Sequence, residues 1–236
     1  MYFDYYFLGI ILIPAILFSL YAEISVSSNF KEYSQEFSQK GIRACDLIRG
    51  ILNNAGLHYI SISQINGDAL NNYYNHSTKN IGLSSAVYSS SSIAALGIAC
   101  HEAGHALQYA DGYAPIKIRN ILVPACNLVS KIVWPIIFVG LFLNFANTNT
   151  ALGRFLLYAG VIFFGLTVLV NLVTLPSEYD ASNRAIKMLE QYNILQEEEL
   201  CGAKKVLRSA ALTYVAALLV SLLNLIRFLL VFRRRD

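Results

Sequence analysis

Two histidines stand one helical turn apart in the stretch Ile98-Ala-Cys-His-Glu-Ala-Gly-His-Ala-Leu107, with Glu102 between them, and the chain has only four histidines in all. On a helix this spacing sets the imidazoles of His101 and His105 on one face, about 6 Å apart at Cβ. Both rings can then reach one metal ion at about 2 Å. Glu102 lies one position round the helix, close enough to touch a water on that ion without being a ligand. Zinc lowers the pKa of such a water towards about 7, and a carboxylate there can take its proton and pass it to a leaving amine. The H-E-x-x-H pattern therefore points to hydrolysis of a peptide bond without a covalent intermediate. The competing reading is a helix with two satisfied core histidines and an ion-paired glutamate. Burying three such groups without partners costs several kcal/mol, and the neighbours Ala99, Cys100, Ala103, Gly104, Ala106 and Leu107 supply none.

A hydrolytic zinc site needs a third protein ligand and keeps a fourth position for water. Asp111 stands six residues after His105, where the pattern H-E-x-x-H-x-x-G-x-x-H puts its last ligand. Position 108 is Gln108, however, and not the glycine that would turn the chain, so a turn with Gly112 suits Asp111 better. His58 and His76 have no pattern to support them. Glu178, in Leu172-Val-Thr-Leu-Pro-Ser-Glu-Tyr-Asp-Ala-Ser-Asn-Arg-Ala185, is the stronger candidate. It follows a membrane-length apolar run, where acids usually have a functional reason, although an acid in a first turn opened by Pro176 would also suit the helix dipole. The residues behind it include Ala181, Ser182 and Ala185, small enough to lie close to Ala103, Gly104 and Ala106. Asp180 either orients a zinc-bound imidazole from behind or pairs with Arg184 four residues on. The expected centre is one Zn2+ on His101, His105 and Glu178, with Glu102 as general base and acid.

Several elements must position these groups. The serines 89–92 offer a helix N-cap, and Asp111-Gly112 a stop, so the motif helix should run to about Ala110. Upstream, 41–56 has apolar residues at helical spacing and ends at Gly56. The stretch 57–65 alternates as a strand, Asn66-Gly67 reads as a turn, and 73–84 reads as a short hairpin with its second arm at Asn80 to Ser84. That arm is expected at the sheet edge, where an extended substrate could add a strand. Tyr74, Tyr113 and Tyr179 are candidate donors to a developing oxyanion, though interface anchoring explains tyrosines as well.

The apolar runs set the wider frame. Residues 6–22 read as an uncleaved transmembrane anchor and 23–120 as a zincin-like catalytic portion. Residues 121–175 read as two transmembrane helices, the first kinked by Pro124 and Pro135. A helix at 176–208 carries the third ligand, and 209–232 forms a C-terminal transmembrane helix. The fold class is thus mainly α: an integral membrane protein with about four transmembrane or membrane-associated helices and a zincin-like α+β portion holding a small sheet. Two crossings separate His105 from Glu178, so both return to one side of the bilayer.

Composition agrees. Hydrophobic residues make up 56% of the 236 and charged residues 14%, against about a quarter charged in a soluble domain. The net charge of +3 comes without a basic stripe interleaved with aromatics, which argues against nucleic-acid binding. Four widely spaced cysteines form no C-x-x-C pair, so neither a zinc ribbon nor a redox motif is indicated. Lysines and arginines near the span ends crowd the catalytic side and favour a cytoplasmic site, while the Arg233 to Arg235 triplet pulls the other way.

The blocks "SIAALGIACHEAGHALQYADGYAPIKIRN", "LVTLPSEYDASNRA" and "GAKKVLRSAALTYVAALL" resemble, in the same order, three blocks of the YugP-type membrane zinc metallopeptidases of bacteria. The resemblance implies a glutamate-zincin endopeptidase of the plasma membrane, multi-pass, with the ligands and acid/base named above. Its partners would be peptide or membrane-protein substrates and the lipid bilayer. A catalytically inactive zinc-binding scaffold is the alternative, and Glu102 argues against it. A metal transporter would need ionisable groups through its spans, and none lies between Phe155 and Leu175.

Overall fold

The computed structural model describes residues 9–146 and 150–233. The chain divides into two compact units, one of Tyr21–Ile116 with Pro176–Thr213, the other of Met1–Leu20, Lys117–Leu175 and Tyr214–Asp236.

The first unit is mixed. Helix α1 (Ile13–Tyr33) enters it at Tyr21 and continues well past the apolar run that ended at Ala22. Helix α2 (Ala44–Asn54) buries Ala44, Cys45, Leu47, Ile48, Ile51 and Leu52, the i, i+3, i+4 stripe of a helix lying on a core. Gly56 stops it at a positive φ of 74°, a conformation that costs glycine nothing. Strands β1 (Ser61–Ile65), β2 (Tyr73–Asn75) and β3 (Asn80–Ser84) form a sheet in the order β1-β3-β2. A short helix α3 (Ser85–Tyr88) leads to the motif helix α4 (Ile93–Ala110). Ser92 caps α4 by accepting from the Ala95 amide at 3.3 Å, and Gly112 ends it at φ 71°. Both ends lie where the cap chemistry predicts. The core is built from Ile48, Leu52, Ile60, Ile81, Leu83, Leu96 and Leu189, all almost fully buried.

The sheet corrects one expectation. The hairpin of β2 and β3 is present, with Tyr73 opposite Gly82 and Asn75 opposite Asn80. But β3 is the central strand: its other side pairs in parallel with β1, from Ser61 opposite Asn80 to Ile65 opposite Ser84. Its backbone is therefore occupied on both sides and cannot receive a substrate strand. The residues of β3 from Ile81 to Ser84 are all buried, a pattern that belongs to a covered strand. A hairpin reading of local sequence does not reveal a parallel partner from further upstream.

In the second unit the helices are long. Helix α5 (Ala114–Phe145) holds Pro124 and Pro135, α6 (Thr150–Gln191) holds Pro176, and α7 (Glu197–Arg233) closes the chain. Among the described residues, α6 and α7 are each long and apolar enough to cross a membrane. The halves Ala114–Val129 and Lys131–Leu143 would make a third span if taken together across their 44° bend. Pro135 accounts for that bend, because its ring clashes with the carbonyl four residues back, at Lys131. Of the expected anchor 6–22, residues 6–8 lie outside the described residues, and α1 is not among the helices that pass this test. Phe138, Phe142, Phe155 and Ile162 are each exposed by more than 60%, an apolar exterior suited to lipid rather than water. Within these helices the polar Asn171 donates to the Ala217 carbonyl at 3.3 Å and to Ser221 at 3.0 Å, as an apolar surrounding requires.

Pro176 does not open a helix. It lies inside α6, which runs unbroken from the apolar stretch to Gln191. The stretch 176–208, expected as one helical segment, comprises the end of α6, a turn and the start of α7.

The cysteines separate cleanly. Cys100 is fully buried, and burial pushes its thiol far above the ordinary range, whereas Cys201 is exposed. A maleimide probe is expected to label Cys201 in the folded chain and Cys100 only after denaturation; rapid labelling of Cys100 in the native state would contradict the packing of α4.

Candidate metal centre

Helix α4 is apolar nearly all round and correspondingly buried. Ala94, Ala95, Gly97, Ala99, Ala103, Gly104 and Ala106 leave little side chain between it and its neighbours, while the polar Glu102, His105 and Gln108 are buried with them. Such groups need partners, and α6 supplies them for His105 and Gln108. A Cβ added to Gly104 would sit 2.7 Å from the Ala181 carbonyl oxygen, so the two backbones meet almost directly. That contact sets Glu178 and Ser182, each one turn or less from Ala181, beside the histidine face of α4.

There the side chains converge. His101 Nε2 lies 3.2 Å from Glu178 Oε2, and His105 Nε2 lies 3.6 Å from the same oxygen. The imidazole rings stand edge to face with centroids 4.7 Å apart. The ligand atoms of His101, His105 and Glu178 all lie within 4.8 Å of one another. Two donors held at about 2.1 Å from a tetrahedral zinc are themselves roughly 3.4 Å apart, and the two measured separations bracket that value. Two neutral nitrogens and one carboxylate oxygen are also a donor set that zinc takes readily. The residues present fit the ion.

The opposite ring nitrogens are held from behind. His101 Nδ1 is 3.1 Å from Ser182 Oγ, and His105 Nδ1 is 2.9 Å from Gln108 Oε1. The Gln108 amide nitrogen donates to the Ser177 carbonyl and to Asp180 Oδ2, both at 2.8 Å. Arg184 Nε donates to Asp180 Oδ2 at 2.7 Å, and the other end of its guanidinium pairs with Asp111. Both readings of Asp180 thus meet in one place. It pairs with Arg184, and it addresses an imidazole, though through Gln108 and not directly.

Charge is concentrated accordingly. Burial opposes ionisation of Glu178, but the hydrogen bond of His101 and the charges of His101 and His105 outweigh it and hold its carboxyl well below the usual range. Burial would lower the pKa of His105, yet the negative charge of Glu178, with that of Glu102 behind it, raises it. A positive charge at this point is strongly favoured, whether a proton or a metal supplies it. Glu102 is buried at 7% exposure.

Of the other candidates, Asp111 caps α4 and pairs with Arg184. His58 hydrogen-bonds Asn53 at the surface, and His76 stacks on Tyr109 with centroids 4.5 Å apart. Tyr74 packs on Tyr109 at 5.6 Å, and burial pushes its phenol up to about 12, so it keeps its proton. Tyr179 is 42% exposed. Sequence reasoning passed over Gln108 as a catalytic-region residue. Its signal was available: position 108 is one turn beyond His105 and shares its face.

Comparison with known proteins extends the same reading. No solved structure matches the chain. It is 36% identical to the "Putative membrane protease YugP" of Bacillus subtilis (strain 168) over 221 residues, which cover 93% of this chain and 94% of that protein. The sequence profile of a family described as "Putative neutral zinc metallopeptidase" matches residues 8–233. With that match running almost from end to end, the chain belongs to this family of neutral zinc metallopeptidases.

Proposed function

We propose that the chain is a membrane-embedded zinc endopeptidase of the glutamate-zincin type, with His101, His105 and Glu178 as metal ligands and Glu102 as general base and acid. The observation that carries it is the convergence of both Nε2 atoms on one Glu178 oxygen at 3.2 and 3.6 Å. Bound zinc would supply a Lewis acid for the scissile carbonyl and a more acidic water. The chain's own residues do the rest. Glu102 accepts the proton of the attacking water at its carboxylate, the water oxygen bonds to the carbonyl carbon, and the C–N bond breaks as Glu102 returns the proton to the amine nitrogen. Ser182 and Gln108 hold the rings in place from behind.

The substrate is a peptide segment or a membrane protein presented at the bilayer. The free edges of the sheet are those of β1 and β2, and a substrate strand would add at one of them. We place the protein in the bacterial plasma membrane as a multi-pass chain. Two apolar helices and the bent pair in α5 support this, and α1 would add a fourth membrane-associated helix. The site faces the cytoplasm, a reading supported by the cluster of Lys31, Lys40, Lys117, Arg119, Arg184 and Lys187 flanking the spans and the positive-inside bias.

The full chain purified in detergent is expected to carry about one zinc ion and to cleave a quenched fluorescent peptide library. Activity should vanish with a chelator and return with added zinc. Glu178→Gln should lower zinc occupancy and activity together. Chelator-insensitive cleavage, or full zinc occupancy in that variant, would remove the ligand set.

A further inference from the structure

Gln108 is completely buried, one helical turn beyond His105, and all of its polar contacts are accounted for by acceptors and donors on fixed elements. The orientation of its amide is decided by those partners. The Ser177 carbonyl can only accept, and Asp180 Oδ2, which already takes a hydrogen bond from Arg184 at 2.7 Å, is a carboxylate that can only accept. The nitrogen of Gln108 must therefore face both of them, leaving its oxygen towards His105. Turning the amide over would set an oxygen against two acceptors in a buried place. An oxygen 2.9 Å from His105 Nδ1 requires a hydrogen on that nitrogen. In a neutral imidazole the lone pair then falls on Nε2, the atom that faces Glu178 and His101.

We infer that Gln108 is a positioning residue of the centre: its amide, turned by Ser177 and by the Asp180–Arg184 pair, fixes His105 as the Nδ1–H tautomer and aims the Nε2 lone pair at the metal position. The inference rests on the zinc reading above for what the lone pair would bind, but not for the tautomer. His101 differs. Its Nδ1 meets the Ser182 hydroxyl at 3.1 Å, which can donate or accept, while its Nε2 lies 3.2 Å from the Glu178 carboxylate, so with no metal bound its hydrogen is drawn to Nε2 and nothing holds it on Nδ1. The chain of contacts continues from Asp180 through Arg184 to Asp111 at the end of α4, bracing the C-terminal turn of the motif helix against α6. An amide thus stands where a carboxylate could have addressed the imidazole directly, and the negative charge of Asp180 is kept one residue further from the ion.

Two measurements on the full chain in detergent test this. In the metal-free protein at pH 9, with histidine labelled by nitrogen-15 and the remote rings removed as His58→Gln and His76→Gln, two imidazole spectra remain. His105 is expected as the Nδ1–H form, and finding it as Nε2–H overturns the inference whether or not zinc binds. Zinc affinity, read by competition with a chromophoric chelator, is expected to fall 10- to 100-fold in Gln108→Met. Methionine keeps the volume and helix propensity but offers no amide. A Gln108→Met chain that binds zinc within twofold of the parent would also overturn the inference. If that variant fails to fold, the tautomer of the unsubstituted residue decides alone. A parent chain that binds no zinc at all would instead sink the zinc reading and leave the tautomer result standing.

Discussion

Glu102→Gln should keep its zinc and lose its proteolysis. The substitution preserves length, volume and helix propensity, and position 102 is not among the three residues whose ligand atoms converge. What changes is the ability to accept a proton. A positioned general base contributes about 10²–10⁴-fold to such a reaction, so turnover of a fluorescent peptide should fall by that factor while zinc content stays at the parent level. The pairing of the two readouts matters. Loss of both would make Glu102 a structural or ligating residue, and unchanged cleavage would exclude it from the mechanism. Since Glu102 also lends its charge to His105, a modest decrease in zinc affinity, within about threefold, is compatible with the reading; a hundredfold decrease is not.

The second large effect is expected at Gly104. Glycine to alanine inside a helix normally stabilises by about 1 kcal/mol. Here the sign reverses. The new Cβ would lie 2.7 Å from the Ala181 carbonyl oxygen and 3.3 Å from the Ala181 Cα and carbonyl carbon, and backbone cannot retreat as a flexible side chain could. The helices must separate, and overpacking of this kind costs about 1–3 kcal/mol. The proposed ligands sit on both sides of the contact, so the separation widens the gap between Glu178 and the imidazoles. Zinc affinity is expected to drop by more than tenfold, with a lowered Tm. Gly97→Ala on the same helix is the control. Its Cβ would meet the Ala203 Cβ at 3.6 Å, with the Ala203 Cα and Leu207 Cγ at 3.9 Å, all ordinary contacts, so stability should hold or rise. If both variants behave alike, close approach at Gly104 is not what assembles the centre.

Much of this was local enough to be read along the chain. The i, i+4 histidines, the Ser92 cap and the stop at Gly112 depend on periods and caps confined to a few neighbouring residues, and so did the small faces of α4 and α6. An acid directly after a long apolar run marked Glu178, because such a run gives a carboxylate few reasons to be there other than function. The error at Pro176 has a local cause as well. Proline favours a helix start, and nothing in its neighbourhood announces that the preceding apolar helix carries on through it.

Residue types and spacing were therefore enough to specify the motif helix, the three side chains that converge and the membrane character. Only the tertiary structure decided that β3 is a covered central strand, that α4 and α6 touch at Gly104, and that Asp180 reaches His105 through Gln108. These depend on pairs 19 to 77 positions apart, whose meeting is set by packing. Periodicity states which face of an element is buried, but not which other element covers it.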